Sequence, residues 1–294
     1  MTKTNQIIFF GNEQLAQGVK TSTPIFDALL DNGYQICALV LPAAHVRKPF
    51  PIAVKAEAAG IPIHYVTKGS ELLPIIEQYQ PELGILSAFG KLVPESAINA
   101  IPCGILNIHP SLLPKYRGTT PIETPLLNGD AETGVSVMRL VKAMDAGPIL
   151  AQAKVAITPE TTKQSLYESL SQLGANLIID VIPGTLAKNA AETAQDESEA
   201  TFTTKLDKDM SDLKFAEKGA QQLVREVVAF AGFPKSKTIL LGKLCTITAA
   251  HAAAEASTEL DQKCADGQYF VIDRLIPENS KEMDAKSFLN GFKK

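Results

Sequence analysis

Residues 104–118 read Gly-Ile-Leu-Asn-Ile-His-Pro-Ser-Leu-Leu-Pro-Lys-Tyr-Arg-Gly. The run 104–108 is typical of a β-strand. Because successive strand side chains point to opposite faces, Asn107 and His109 are predicted to share one face. Pro110 has no N–H to donate and should end the ladder. The stretch therefore predicts two polar side chains at the end of a strand, followed by a loop rich in Pro and Gly.

Short apolar runs alternate with helical patterns over about the first 180 residues. Strands are predicted at Gln6–Phe10, Gln35–Val40, Ile63–Tyr65, Leu83–Ser87, Gly104–Ile108, Val135–Val141 and Ile149–Val155, and helices at Thr23–Asp31, Ile52–Ala59, Leu72–Gln78, Pro121–Leu126 and Thr162–Ile182. This alternation indicates an α/β domain with a parallel sheet. Ligands of such sheets bind at the carboxyl ends of strands, where Asn107 and His109 are predicted. The glycine after the first strand is not part of a G-x-G-x-x-G pattern, so a dinucleotide site has little support.

An acidic residue, Asp145, lies in the sequence Met-Asp-Ala-Gly-Pro at 144–148, after the strand-like run Val135–Val141. Together with Asn-Ile-His-Pro-Ser-Leu-Leu-Pro at 107–114, this segment resembles the folate-dependent formyltransferases. That family carries Asn-x-His-Pro-Ser-Leu-Leu-Pro and a later Asp-x-Gly turn. The resemblance implies a Rossmann-like fold and transfer of a one-carbon acyl group from a folate nitrogen to an amine.

The resemblance also implies catalytic roles for Asn107, His109 and Asp145. Attack by an amine makes negative charge grow on the formyl oxygen, so the site needs a hydrogen-bond donor and a group that manages a proton. The Asn107 amide can donate to that oxygen, His109 can donate or move a proton, and Asp145 can orient the imidazole and favour its charged form. The structural alternatives are strand-end or core polar groups for Asn107 and His109 and an Asx-turn for Asp145. No metal is needed or expected.

The co-substrate implied by the resemblance is 10-formyltetrahydrofolate, whose flat pteridine ring suits recognition by main chain and apolar groups. The matching residues are Phe89, Gly90, Leu92, Val141, Lys142 and Ala143. Gly90 allows a close approach of the backbone. For Phe89 and Leu92 the alternative is packing in the core.

The acceptor is indicated by the end of the chain. Residues 283–291, Met-Asp-Ala-Lys-Ser-Phe-Leu-Asn-Gly, and residues 201–206 resemble the methionyl-tRNA formyltransferase branch of the family, which implies initiator methionyl-tRNA as partner. The substrate-binding residues are then Arg47 and Lys48, in a shortened basic loop, together with Gly118. Residues 119–123 read Thr-Thr-Pro-Ile-Glu where that branch usually has Ala-Ala-Pro-Ile-Gln, and Lys-Tyr-Arg-Gly at 115–118 is also similar to nucleotide-sugar formyltransferases. An amino-sugar acceptor, hydrolysis of the formyl-folate and an inactive binding module therefore stay as alternatives.

The domain limits predicted from composition are 1–183 for a catalytic domain, 184–204 for an acidic Ala/Thr-rich linker and 205–294 for a second domain. The last part combines a helix at Phe215–Phe230 with β-like runs at Thr238–Leu241, Leu244–Ala249 and Gln268–Ile276, which suggests a small β-barrel. In the resembling family this is an OB-like domain, and OB folds often bind nucleic acid. Residues 205–243 hold eight basic and five acidic residues, which is either ordinary surface variation or a mild basic face for phosphates.

The bulk composition describes an ordinary globular chain. It has 294 residues, a net charge of −4 and 45% hydrophobic residues, so the overall field does not attract nucleic acid. The four cysteines show no metal or disulfide spacing, which indicates reduced thiols. With neither a signal-peptide pattern nor a long apolar run, we expect a cytoplasmic protein that does not enter the membrane. We also expect a monomer.

Overall fold

The computed structural model of the chain describes residues 6–43 and 49–292, which form two sheets with helices packed against them. The larger sheet has the order β3-β2-β1-β4-β5-β6-β7. Its strands are β1 (Gln6–Phe10), β2 (Gln35–Pro42), β3 (Ile63–Val66), β4 (Leu83–Leu86), β5 (Ile105–His109), β6 (Glu132–Arg139) and β7 (Ile149–Ala156). All seven strands predicted for this part of the chain are present, with ends that differ by up to three residues.

The prediction that this sheet is parallel was wrong for its last two strands. Strands β1 to β5 pair in parallel, whereas β6 runs antiparallel to β5 and β7 antiparallel to β6. Residues 140–148 between β6 and β7 contain no helix. A parallel connection needs a crossover of a dozen or more residues, so this short turn makes β6 and β7 a hairpin at the edge of a mixed sheet.

The helices of this part are α1 (Pro24–Asp31), α2 (Pro51–Ala58), α3 (Leu72–Tyr79), α4 (Glu95–Asn99), α5 (Glu123–Asn128) and α6 (Lys163–Leu186). Helix α1 starts with a proline, whose fixed φ suits the first helical position. Helix α6 is capped by Thr162, whose side chain accepts from the Ser165 amide. The short helix α4 was not predicted. Helix α5 starts two residues later than predicted.

Alternation along the strands gives the larger sheet two apolar faces. Ile7 and Phe9 of β1 belong to a buried cluster that also contains residues of α1 and α6. Ile8 and Phe10 belong to a second cluster, with residues of α3 and α4. Ile105 of β5 lies in this second cluster, so Asn107, two residues on, is directed to the same side of the sheet. Both faces are covered, as expected of a mostly parallel sheet.

The second sheet is antiparallel and has the order β10-β11-β9-β8, with β12 paired to β11. Its elements are α7 (Ala220–Ala229), β8 (Ser236–Leu240), β9 (Lys243–Ala253), β10 (Gln262–Lys263), β11 (Tyr269–Pro277), β12 (Met283–Asp284) and α8 (Ala285–Phe292). Helix α7 packs on β9 and β11 and contributes Leu223 and Val227 to a separate buried cluster. Its helical residues begin five positions later than predicted, and the predicted strand ending at Ala249 continues to Ala253.

The two sheets are joined by residues 187–204, and this segment lies against the first one. Helix α6 extends beyond 183, to Leu186. Thr193 then pairs with Ile149 of β7, and the Thr201 carbonyl and Thr203 amide bond to the main chain of Arg117. Leu206 joins the first buried cluster. The segment predicted as a surface linker is therefore hydrogen-bonded to the loop after β5.

Candidate active site

A cavity of about 530 Å³ lies beside the carboxyl ends of β4 and β5. It is lined by residues 14–17, 86, 88–93, 107–110, 118–121, 123, 140–142, 144, 145 and 206. The walls therefore come from the loops after β1, β4, β5 and β6, and Leu206 adds a side chain from beyond α6. The volume is in the range of sites for small organic ligands.

Asn107 lies inside β5, opposite Met138 of β6, and only 6% of it is exposed. Its side chain lines the cavity. The Asn107 amide can therefore donate to an oxygen of a ligand bound there.

His109 is the last residue of β5 and is 4% exposed. Its Nε2 lies 2.9 Å from the carbonyl oxygen of Tyr116, in the loop that follows. Because a carbonyl only accepts, Nε2 carries a hydrogen and donates it. Tyr116 has a left-handed φ of +62°, and its amide donates to Thr201 Oγ1. Nδ1 is thus the ring nitrogen left for chemistry.

Asp145 completes the group from the turn between β6 and β7. Its Oδ2 lies 3.8 Å from Nδ1 of His109 and accepts a 2.8 Å hydrogen bond from the Gly118 amide. The backbone of Asp145 is left-handed, with φ +50°. The structure therefore brings together Asn107, His109 and Asp145, which the sequence placed up to 38 positions apart.

Five of the six residues predicted to bind folate line the cavity. Phe89, Gly90, Leu92, Val141 and Lys142 line it, and Ala143 does not. Phe89 is buried and packs edge-on against Phe10, so it also belongs to the core, whereas Leu92 is 81% exposed at the cavity. Gly90 has φ +66°, a conformation that glycine adopts without strain.

Of the predicted acceptor residues, Gly118 lines the cavity. Its φ is +116°, and an added Cβ would lie 2.6 Å from Thr203 Oγ1, so no larger residue fits unless Thr203 moves. Arg47 and Lys48 lie outside the described residues.

Sequence reasoning missed the loop at 14–17, which forms a complete wall of the cavity. Glu13 holds this loop: its carboxylate accepts from the amides of Ile25 and Phe26 at the start of α1. Burial raises the pKa of Glu13 to about 8, although those two hydrogen bonds act in the opposite direction. The Tyr167 hydroxyl of α6 donates to the Glu13 carbonyl. No local pattern signals these contacts, because the partners lie 12 to 154 positions away in the chain.

Glu123 and Lys163 form a buried ion pair at the first residues of α5 and α6. Their side chains are 2% and 1% exposed, with 3.7 Å between Lys163 Nζ and Glu123 Oε1. Glu123 lines the cavity, and within residues 6–43 and 49–292 its Oε2 has no hydrogen-bond partner. Burial raises the pKa of Glu123 and lowers the pKa of Lys163. Of this pair, Glu123 belongs to the segment 119–123 that departs from Ala-Ala-Pro-Ile-Gln.

Known proteins with similar sequences identify the family. A family model described as Formyl transferase matches residues 49–182. The methionyl-tRNA formyltransferase of Methylococcus capsulatus is 32% identical over 304 residues, which cover 97% of this chain and 96% of that protein. The protein of the same name from Latilactobacillus sakei is 31% identical, and the match covers 97% of this chain and 94% of that protein. The chain belongs to the methionyl-tRNA formyltransferase family. The predicted resemblance is thereby confirmed over nearly the full length.

Solved structures show the same fold as this family member. An N-formyltransferase from Helicobacter canadensis, solved with folinic acid and dTDP-3-aminofucose, has a TM-score of 0.70 at 18% identity, and the match covers 91% of this chain and 98% of that one. HypX from Aquifex aeolicus, solved with tetrahydrofolic acid, has a TM-score of 0.67 at 15% identity and covers 98% of this chain but 47% of that one. These likenesses support a formyltransferase fold with a mixed α/β sheet followed by a barrel-like antiparallel sheet.

Two further properties concern metals and membranes. Within 6–43 and 49–292, no group of three or more His, Cys, Asp or Glu side chains is arranged to hold a metal ion. None of the helices described here is both long and apolar enough to cross a bilayer.

Proposed function

We propose that this protein transfers the formyl group of 10-formyltetrahydrofolate to the α-amino group of methionine on initiator tRNA. The observation that carries the proposal is the geometry of one cavity. Asn107 and His109 both line it, Nε2 of His109 donates to the Tyr116 carbonyl, and the Asp145 carboxylate lies 3.8 Å from Nδ1. The two full-length relatives named above support the choice of methionyl-tRNA as acceptor.

In this mechanism Asn107 donates a hydrogen bond to the formyl oxygen as negative charge grows there. A donor placed in this way before the reaction contributes about 10²–10³ in kcat. Nδ1 of His109 takes the proton that the attacking amine loses and returns it to the folate nitrogen, whose bond to the formyl carbon breaks. Asp145 orients the ring, and it is itself held by the Gly118 amide.

The folate and the acceptor would occupy different ends of the cavity. Phe89, Gly90, Leu92, Val141 and Lys142 form the end we assign to the pteridine, and Gly118 lies near the reacting atoms. We assign the second sheet to an OB-like domain that binds tRNA, since residues 205–243 carry the basic excess. Arg47 and Lys48 are proposed to contact the acceptor end.

The test is formyl transfer by the purified protein with 10-formyltetrahydrofolate and one of three acceptors: charged initiator tRNA, a dTDP-amino sugar, or none. We expect formylmethionine on the tRNA and no turnover in the other two reactions. Asn107→Ala and His109→Ala should each lower kcat at least about 100-fold while folate still binds. His251→Ala is the matched control, because His251 also contacts a carboxylate, that of Asp273, but is exposed on the second sheet.

Each other outcome contradicts a specific part of the proposal. Turnover with the amino sugar alone would replace the acceptor, and formate release without acceptor would make the protein a hydrolase. Near-normal rates in both Asn107→Ala and His109→Ala would refute the catalytic assignment itself.

A further inference from the structure

Gln195 connects the two loops that carry the catalytic group. It lies in the segment 187–204, away from the cavity lining, in a region that the sequence indicated was a linker. Its Nε2 donates to the carbonyl oxygens of Asp145, at 2.8 Å, and Gly147, at 2.7 Å. Its Oε1 accepts from Nε and Nη2 of Arg117, at 3.1 and 2.8 Å. One side chain therefore bridges the turn after β6 and the loop after β5.

On the first side, Gln195 holds a turn whose conformation needs support. Asp145 is left-handed although it has a Cβ, and such a residue is maintained by its surroundings. The turn is packed closely, since a Cβ on Gly147 would lie 1.8 Å from the Arg139 carbonyl oxygen. Two of its carbonyls are anchored by Gln195. The orientation of the Asp145 carboxylate toward His109 therefore depends on a residue 50 positions away.

On the second side, Gln195 holds Arg117, which is 2% exposed. The guanidinium also donates to both carboxylate oxygens of Glu197, and the Arg117 main chain pairs with Thr201 and Thr203. Its chain neighbour Tyr116 supplies the carbonyl that accepts from His109 Nε2. Nδ1 of His109 thus faces Asp145, and Nε2 donates to Tyr116. Gln195 contacts Asp145 directly and contacts Arg117, the chain neighbour of Tyr116.

We propose that Gln195 is a positioning residue for formyl transfer: by anchoring the Asp145 turn to Arg117, it keeps the Asp145 carboxylate and the Tyr116 carbonyl at opposite sides of His109. This role rests on the proposed function only because one of its tests measures formyl transfer. Misplacement of a catalytic group by about 1 Å can cost about 100-fold in rate, whereas the hydrogen bonds of Gln195 go to Arg117, Met138, Asp145 and Gly147 and not to the residues assigned to the folate. The loss should therefore fall on kcat.

The decisive variant is Gln195→Glu. It has nearly the shape of glutamine and still accepts from Arg117, but a carboxylate cannot donate to the carbonyls of Asp145 and Gly147. We expect kcat to fall about 10- to 100-fold, KM for the folate to change less than about threefold, and the pH profile of kcat to move. In Gln195→Ala, which loses the contacts to Arg117 and to the Asp145 turn, kcat should fall at least as far. Gln172→Glu, on the exposed surface of α6, is the control and should stay at wild-type kcat.

A second measurement separates positioning from folding and from the choice of acceptor. The ¹⁵N and ¹H resonances of the His109 ring, assigned with His109→Ala, report its titration without any substrate. Gln195→Glu should change that titration while the melting temperature falls by less than a few degrees. Wild-type kcat and an unchanged His109 titration in Gln195→Glu would overturn the proposal, as would a kcat loss no larger than the fraction of unfolded protein. If the wild type formylates no acceptor, the proposed function fails, and the ring titration still decides the role of Gln195.

Discussion

Removing one partner of the buried Glu123–Lys163 pair should destabilise the protein far more than removing both. At 3.7 Å and an effective dielectric constant of 20, the two charges attract by about 4 kcal/mol. Taking each ion out of water costs several kcal/mol, and one carboxylate oxygen, Glu123 Oε2, accepts no hydrogen bond from the described part of the chain to offset this cost. The attraction and the desolvation therefore nearly cancel, so the intact pair contributes little net stability.

The single variants leave one buried charge alone. We expect Glu123→Ala and Lys163→Ala each to lower the free energy of unfolding by about 3–5 kcal/mol. At about 2 °C per kcal/mol for a chain of this size, the melting temperature should fall by roughly 6–10 °C. The double variant Glu123→Gln, Lys163→Met replaces both charges with groups of similar volume. It should lie within about 1 kcal/mol of the wild type or be more stable by up to about 4 kcal/mol.

The assay is thermal unfolding of the wild type, the two single variants and the double variant at pH 7. Lys154→Ala is the control, since its pair with Glu132 is exposed and should contribute less than about 1 kcal/mol. A single variant that unfolds within about 1 kcal/mol of the wild type would contradict the cost expected for a lone buried charge. A double variant that is less stable than the wild type by more than about 1 kcal/mol would contradict the near-cancellation of attraction and desolvation, because the pair would then be a net source of stability.

Three further predictions concern pH, the Asp145 turn and salt. Because burial raises the folded pKa of Glu13 to about 8 from 4.5, its contribution to stability is complete below pH 4.5 and is lost as pH rises to 8, by up to about 5 kcal/mol. Unfolding measured at pH 5 and pH 8.5 should show this loss in the wild type and not in Glu13→Gln. Gly147→Ala places a Cβ 1.8 Å from the Arg139 carbonyl oxygen and should lower kcat by about 100-fold. The control Gly291→Ala, whose Cβ has open space around it, should keep the wild-type kcat. Raising the salt concentration from 50 to 200 mM should increase KM for tRNA by about tenfold or more and leave KM for the folate nearly unchanged; equal effects on both would contradict phosphate contacts by the second sheet.

Much of the fold could be predicted because its signals are local. Strands β1 to β5 are short apolar runs bounded by turn residues, and each was predicted within two residues of its ends. The alternation of side chains along β5 also predicts that Asn107 and His109 point to one side, and the structure has both in the cavity wall. The direction of β6 and β7 was missed, because strand runs carry no mark of orientation. Only the length of the 140–148 turn contains that information.

The rest of the site depends on contacts between distant parts of the chain. Glu123 meets Lys163 across 40 positions, and Gln195 meets Arg117 across 78. Neither pair has a spacing that a helix or a strand would impose, so no periodicity reveals it. The acidic composition of 184–204 is typical of a solvated segment. It does not reveal that two side chains of this segment, Gln195 and Glu197, bind the buried guanidinium of Arg117.

The hairpin at the edge of the sheet explains why such a segment is needed. A parallel connection after β6 would have required a helical crossover, and a helix holds its own backbone through internal hydrogen bonds. The turn 140–148 has few: the Asp145 and Gly147 carbonyls bond to Gln195 instead. A turn can bring an acid to within 3.8 Å of His109 beside an open cavity, but its backbone must then be held from outside. We infer that the segment leading to the second sheet supplies this support, so the path of the chain between the two sheets is part of the construction of the active site.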